Sequence, residues 1–137
     1  MKIQLIITAD YASIDQATQK LNILGAFTRI HARTFPIRHQ RMVLAVKIAA
    51  ELGDSTETRL FKVVLVDSDG MELLQVSGPL KIGHESDGTR PDFIAVLELN
   101  DLEFPHPGHY EFKVYVDDQE LGNTSIGLAE VSEHPET

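Results

Sequence analysis

The chain contains no cysteine, and that absence removes disulfides, thiolate zinc sites, cysteine nucleophiles and thiol redox chemistry together. It also lacks any apolar stretch near the roughly 20 residues that a membrane span requires. Residues 1–10 hold one basic residue, and their apolar run is broken by Gln4 and stopped by Asp10, so they read as an alternating strand and not as a signal-peptide core. No fixed-period repeat, low-complexity tract or Pro/Gly/Ser-rich linker divides the sequence. Neither a Gly-x-Ser-x-Gly elbow, a phosphate-cradling glycine loop nor a His-Glu-x-x-His pair is present. The expectation is one cytoplasmic, non-enzymatic domain that needs no cofactor.

What is there suffices for a self-supporting core. At 137 residues, with 42% apolar and 24% charged side chains, the chain is long enough to bury roughly two-thirds of its unfolded surface. The net charge of -9 argues against nucleic acid as a partner, because phosphate binding rests on summed positive potential. That charge is unevenly spread. Residues 16–50 hold six cations and no acid, residues 1–15 carry -1, and residues 51–137 carry -14.

Short β-branched and aromatic runs recur between turn residues, the cadence of an antiparallel all-β protein. Ile3, Leu5 and Ile7 alternate over residues 2–9. A polar connection with a helical turn near residues 13–19 then leads into a long extended run over residues 20–33. Gly25 interrupts its alternation and marks a bulge. Met42, Leu44, Val46 and Ile48 form an inward face, as do Phe61, Val63 and Leu65, then Phe93, Ala95, Leu97 and Leu99, then Tyr110, Phe112, Val114 and Val116. Asp67-Ser68-Asp69-Gly70 and Asp117-Asp118-Gln119 read as hairpin turns. Residues 82–91 carry no pattern and read as a mobile loop. About eight strands result: a two-layer antiparallel β-sandwich of immunoglobulin-like or jelly-roll topology over residues 1–131, with a frayed tail over 132–137.

Three groups of residues invite a functional reading. Asp67 and Asp69, with Asp117 and Asp118, could supply oxygens to a calcium ion if their loops met at one end of the fold. The glutamate that an EF-hand requires is absent, however, since Gly78 stands at the twelfth position, so no metal is expected. His106 and His109 bracket Pro107-Gly108 and lack a third ligand. The basic segment is the strongest candidate. Arg29, His31 and Arg33 fall on one strand face and Arg38, His39 and Arg41 follow, enough for a patch that engages an acidic protein surface. The plainer alternative is that these arginines pair with carboxylates of neighbouring strands, since 19 of the 21 acids lie after residue 50. Tyr110, entering a strand after Pro107-Gly108-His109, reads as a corner tyrosine whose hydroxyl bonds nearby backbone.

Four blocks in order, Lys20-Leu21-Asn22-Ile23-Leu24-Gly25-Ala26-Phe27, Phe35-Pro36 with His39, Val66-Asp67-Ser68-Asp69-Gly70, and Pro107-Gly108-His109-Tyr110-Glu111-Phe112, resemble a family of small bacterial proteins known as a domain of unknown function. The resemblance covers nearly the whole chain. It implies a small bacterial β-sandwich and brings no catalytic or binding residue with it. The resulting expectation is a non-catalytic interaction or structural module whose partner is another protein or a second copy of itself, with no nucleic acid and no membrane. A calcium- or small-ligand-binding sandwich is the alternative, and an enzyme is a third reading.

Overall fold

The alternating faces read from the sequence meet in one interior. In the computed structural model, which describes residues 1–51, 53–54, 57–83 and 92–132, Met42, Leu44, Val46 and Ile48 pack with Phe61, Val63, Leu65, Phe112, Val114 and Val116. Each such fully buried side chain contributes about 1.5–3 kcal/mol relative to exposure. The expected mobile loop lies from residue 84 outside the described residues, and so does the expected frayed tail from residue 133.

Nine strands are described: β1 (Lys2–Ile14), β2 (Leu21–Ala26), β3 (Arg29–Ala32), β4 (Ile37–Ala49), β5 (Arg59–Asp67), β6 (Glu72–Leu80), β7 (Asp92–Phe104), β8 (Gly108–Val116) and β9 (Gln119–Glu130). A first sheet has the order β2-β1-β4-β7 and a second the order β3-β9-β8-β5-β6. The pairings are antiparallel except that of β3 with β9, which is parallel. The protein is thus an all-β two-layer sandwich, with nine strands where the sequence suggested about eight.

The additional strand comes from the run over residues 20–33, which changes sheets in its middle. Phe27 N donates to Thr8 O of the first sheet at 3.0 Å, while the next residue's carbonyl, Thr28 O, accepts from Gly127 N of the second at 2.8 Å. One peptide unit therefore joins the two layers. Just before it, Gly25 has a φ of 69°, and a Cβ there would collide with the Asp10 carboxylate, so a side chain is excluded on both counts.

The expected helical turn is a single one, in which Gln19 N donates to Asp15 O at 2.7 Å. β1 runs to Ile14, and Asp15 then closes a turn by accepting from Ala17 N at 2.8 Å and Thr18 N at 3.2 Å. The Asp67 turn forms as expected, its Oδ1 accepting from Asp69 N and Met71 N at 2.9 and 2.8 Å. At the last hairpin, Asp117 and Asp118 have φ of 49° and 65°, the paired positive values of a type I′ turn.

Candidate interaction surfaces

The structure distributes the six residues of the basic segment over separate places. β4 and β7 both slip phase, at Gln40 and at Asp101, whose φ is 54°. Leu99 and Leu102 consequently both reach the interior, and Arg38 and Arg41 both face outward from the first sheet. There they meet acids of β7, Arg38 with Glu103 at 3.8 Å and Arg41 with Glu98 at 3.1 Å, and farther along the same row Lys47 lies 3.5 Å from Asp92. These are the cross-strand pairs of the plainer alternative, worth about 0–1 kcal/mol each at an exposed surface. His39 turns the other way, its ring centroid 6.0 Å from that of Phe27. Arg29 and His31 stand on the outer face of the second sheet, because Ile30 between them and Ala32 after them point inward, and Arg33 is exposed in the link between β3 and β4.

The four aspartates do not converge. Asp67 and Asp69 sit at the end of β5, whereas Asp117 accepts from Leu60 N at its beginning and Asp118 lies 3.3 Å from Lys62. Nine residues of extended strand separate the two turns by about 25 Å. Among the described residues no group of three or more His, Cys, Asp and Glu is placed to hold a metal ion.

The two turn histidines diverge as well. His106 faces the Asp67 turn, with Nε2 3.3 Å from Asp67 Oδ2 and Nδ1 3.1 Å from Pro107 O, and its ring stacks on Tyr110 at 5.5 Å. Both imidazole nitrogens face acceptors, which favours the doubly protonated ring. The Pro107 carbonyl first, then the Asp67 carboxylate, raises the pKa of His106 above its ordinary value. The Met71 amide, outweighing burial, and then His106 hold Asp67 below the usual carboxylate range. Tyr110, 1% exposed, donates its hydroxyl to His106 O at 2.6 Å as a corner tyrosine should, and burial raises its pKa. Asp67 Oδ1 and the Tyr110 hydroxyl each close their own turn, and the His106 Nε2–Asp67 Oδ2 contact joins the β5–β6 turn to the β7–β8 corner. His109 instead points out of the second sheet, over Gly127.

A surface that composition did not single out lies along β2. Four strands are sheet edges: β2, β7, β3 and β6. β7 carries Asp92, Glu98, Asp101 and Glu103, β6 contains Pro79, and β3 has only four residues. Charge, proline and shortness are the means by which edges avoid pairing with other chains. β2, Leu21-Asn22-Ile23-Leu24-Gly25-Ala26, has no charge and no proline. Its Leu24 is 65% exposed and lies directly opposite Tyr11, 43% exposed, with the Arg41 guanidinium 5.8 Å from the tyrosine ring. Beside them, Ala9, Ala12, Val43 and Ala45 form a second buried cluster, against which Leu21 and Ile23 of the same edge pack. The sequence held the signal: six consecutive uncharged residues, legible as an edge only once the strand order is known.

A protein-family model described as "Family of unknown function (DUF6941)" matches residues 4–129. No curated protein matches the chain. Two solved structures are similar to it, each at 13% identity and a TM-score of 0.46. One is an immunoglobulin-like protein from Pseudomonas aeruginosa, with 93% of this chain and 94% of that one covered. The other is the alkylpurine DNA glycosylase AlkC from Pseudomonas fluorescens, bound to DNA containing an abasic site analogue, with 90% of this chain covered. This chain spans about 30% of the length of the glycosylase.

Proposed function

Since the chain belongs to DUF6941, a family of unknown function, we propose from its own surfaces that it is a non-catalytic interaction module that pairs with a second copy of itself along β2. The observation that carries this reading is the contrast among the edges. Two β2 strands running antiparallel about a two-fold axis place uncharged residues opposite one another, whereas two β7 strands would oppose acid to acid. A chain with a net charge of -9 repels its own copies over most approaches, so a neutral edge is the place where they can meet. Leu24, Tyr11 and Arg41 then flank the new strand pair, and tyrosine and arginine are residue types enriched at interface hot spots. The reading includes a cytoplasmic setting and neither nucleic acid nor membrane as partner, the net charge opposing both phosphate backbones and anionic lipid surfaces.

Sedimentation velocity over a range of concentrations tests it. Wild-type protein is expected to form dimers, and Asn22→Lys with Leu24→Lys to weaken association by about tenfold or more while melting as the wild type does at concentrations where both are monomeric. Wild-type protein that stays monomeric throughout, or a charged variant that associates as the wild type does, would overturn the assignment.

A further inference from the structure

The outer face of the second sheet holds a trough that strand pairing at β2 does not use. Arg29 of β3, Gly127 of β9 and His109 of β8 stand in one row across three adjacent strands, and His31 lies beside Ala129 in the next outward row. Glycine and alanine leave the middle strand low, so the arginine and the two histidines rise around a cavity of about 280 Å³. The His109 ring leans over its floor: a Cβ built on Gly127 would lie 3.8 Å from Cε1 and 3.9 Å from Nδ1. Two strand spacings separate Arg29 from His109 at the backbone, about 10 Å, which leaves room for one compact group between side chains reaching inward from either side.

The chemistry of that group follows from the lining. Arg38, Arg41 and Arg59 each lie within 4 Å of a carboxylate, but Arg29 has no such partner among the described residues. Among the described residues no carboxylate lines the trough, although the chain as a whole carries nine excess negative charges. Glu111 is the next outward residue along β8, and Asp10 lies on the far side of Arg29. A guanidinium fork and two imidazoles offer N–H donors from three directions, an arrangement that the tetrahedrally disposed oxygens of a phosphoryl group meet better than a carboxylate, whose lone pairs lie in one plane. Arg29 is also a wall of a second cavity, of about 410 Å³, lined by Phe27, Ile30 and His39. A ligand with its anionic end in the trough can therefore rest an apolar portion on the other side of the same side chain.

We propose that this trough binds a phosphoryl group, with Arg29, His31 and His109 as its donors and Gly127 as its floor. The proposal is independent of self-association, because its residues lie on the other sheet. The test is a titration of the protein at low salt with inorganic phosphate and, separately, with phenyl phosphate, followed by amide chemical shifts. Shifts concentrated at residues 29, 31, 109 and 127 are expected, and Arg29→Gln is expected to weaken binding by about tenfold. Gly127→Val, which fills the floor without altering charge, should weaken it as much. Tighter binding of phenyl phosphate assigns the site to a phosphomonoester, and equal or weaker binding assigns it to free phosphate. Shifts spread over the whole surface, no saturation with either probe, or affinity unchanged in both variants while each melts as the wild type would overturn the proposal.

Discussion

Asp67 and His106 are 39 residues apart in sequence and 3.3 Å apart in space, and the Asp67 side chain is only 4% exposed. The contact fastens the β5–β6 turn to the β7–β8 corner at one end of the sandwich. It also makes the stability of that end depend on pH at two separate points.

Asp67 has a folded pKa below its ordinary 3.8, so its contribution is complete above that value and is lost as pH falls through the depressed folded pKa. His106 has a folded pKa above 6.5, so its contribution is complete below 6.5 and is lost as pH rises through the elevated value. The melting temperature should therefore have a plateau between these limits. In His106→Ala the alkaline decline should flatten while the acidic decline, driven first by the Met71 amide, largely remains. An unaltered alkaline limb in the variant would assign it to another group.

Tyr110→Phe keeps the packing against Phe104, whose ring centroid lies 5.0 Å away, and removes the hydroxyl that donates to His106 O. The cost should be about 1–2 kcal/mol, the loss of a part-buried hydrogen bond to the corner backbone. Urea unfolding with an unchanged m-value is the measurement.

Leu44 and Leu24 separate interior from surface. Leu44 is 0% exposed within the main core, and Leu44→Ala should destabilise by about 2–5 kcal/mol. Leu24→Ala should lie within about 0.5 kcal/mol of wild type under conditions where the protein is monomeric. Paired denaturation curves check both.

Gly25→Ala places a methyl group against the Asp10 carboxylate at a backbone conformation that L-residues rarely adopt. A loss of about 1–3 kcal/mol is expected. Asp10→Ala should recover the part that comes from the collision and leave the part that comes from φ, so the double variant should be intermediate in thermal unfolding.

Calcium should not raise the melting temperature. The aspartates that could have shared an ion stand at opposite ends of β5, and Asp67 already accepts two amide hydrogens and faces His106. A calcium-dependent increase in melting temperature would mean that a set of ligands other than these four binds the ion.

The interior was legible because burial in a sheet has a period of two, and Tyr110, Phe112, Val114 and Val116 announce it without reference to any partner strand. The sheet change between Phe27 and Thr28 was not, since Gly25 reads equally as a bulge within one strand and no charged residue or proline separates β2 from Thr28. The phase slips at Gln40 and Asp101 likewise depend on the pairing of β4 with β7, strands whose Arg41–Glu98 contact joins residues 57 positions apart. The basic segment illustrates the limit. Six residues close together in sequence are divided because β3 and β4 enter different sheets, and Arg29 and His31 border an open trough where their neighbour β9 presents glycine and alanine.

The parallel pairing of β3 with β9 sets an order of assembly. β3 is synthesised well before β9, yet β9 is its ladder partner among the described residues, so Ile30 waits for nearly a hundred further residues before it gains that cover. Pairing between such distant segments is entropically slow. The clasp at residues 27 and 28 is thus expected to close last, as the event that commits the nascent chain to its native topology.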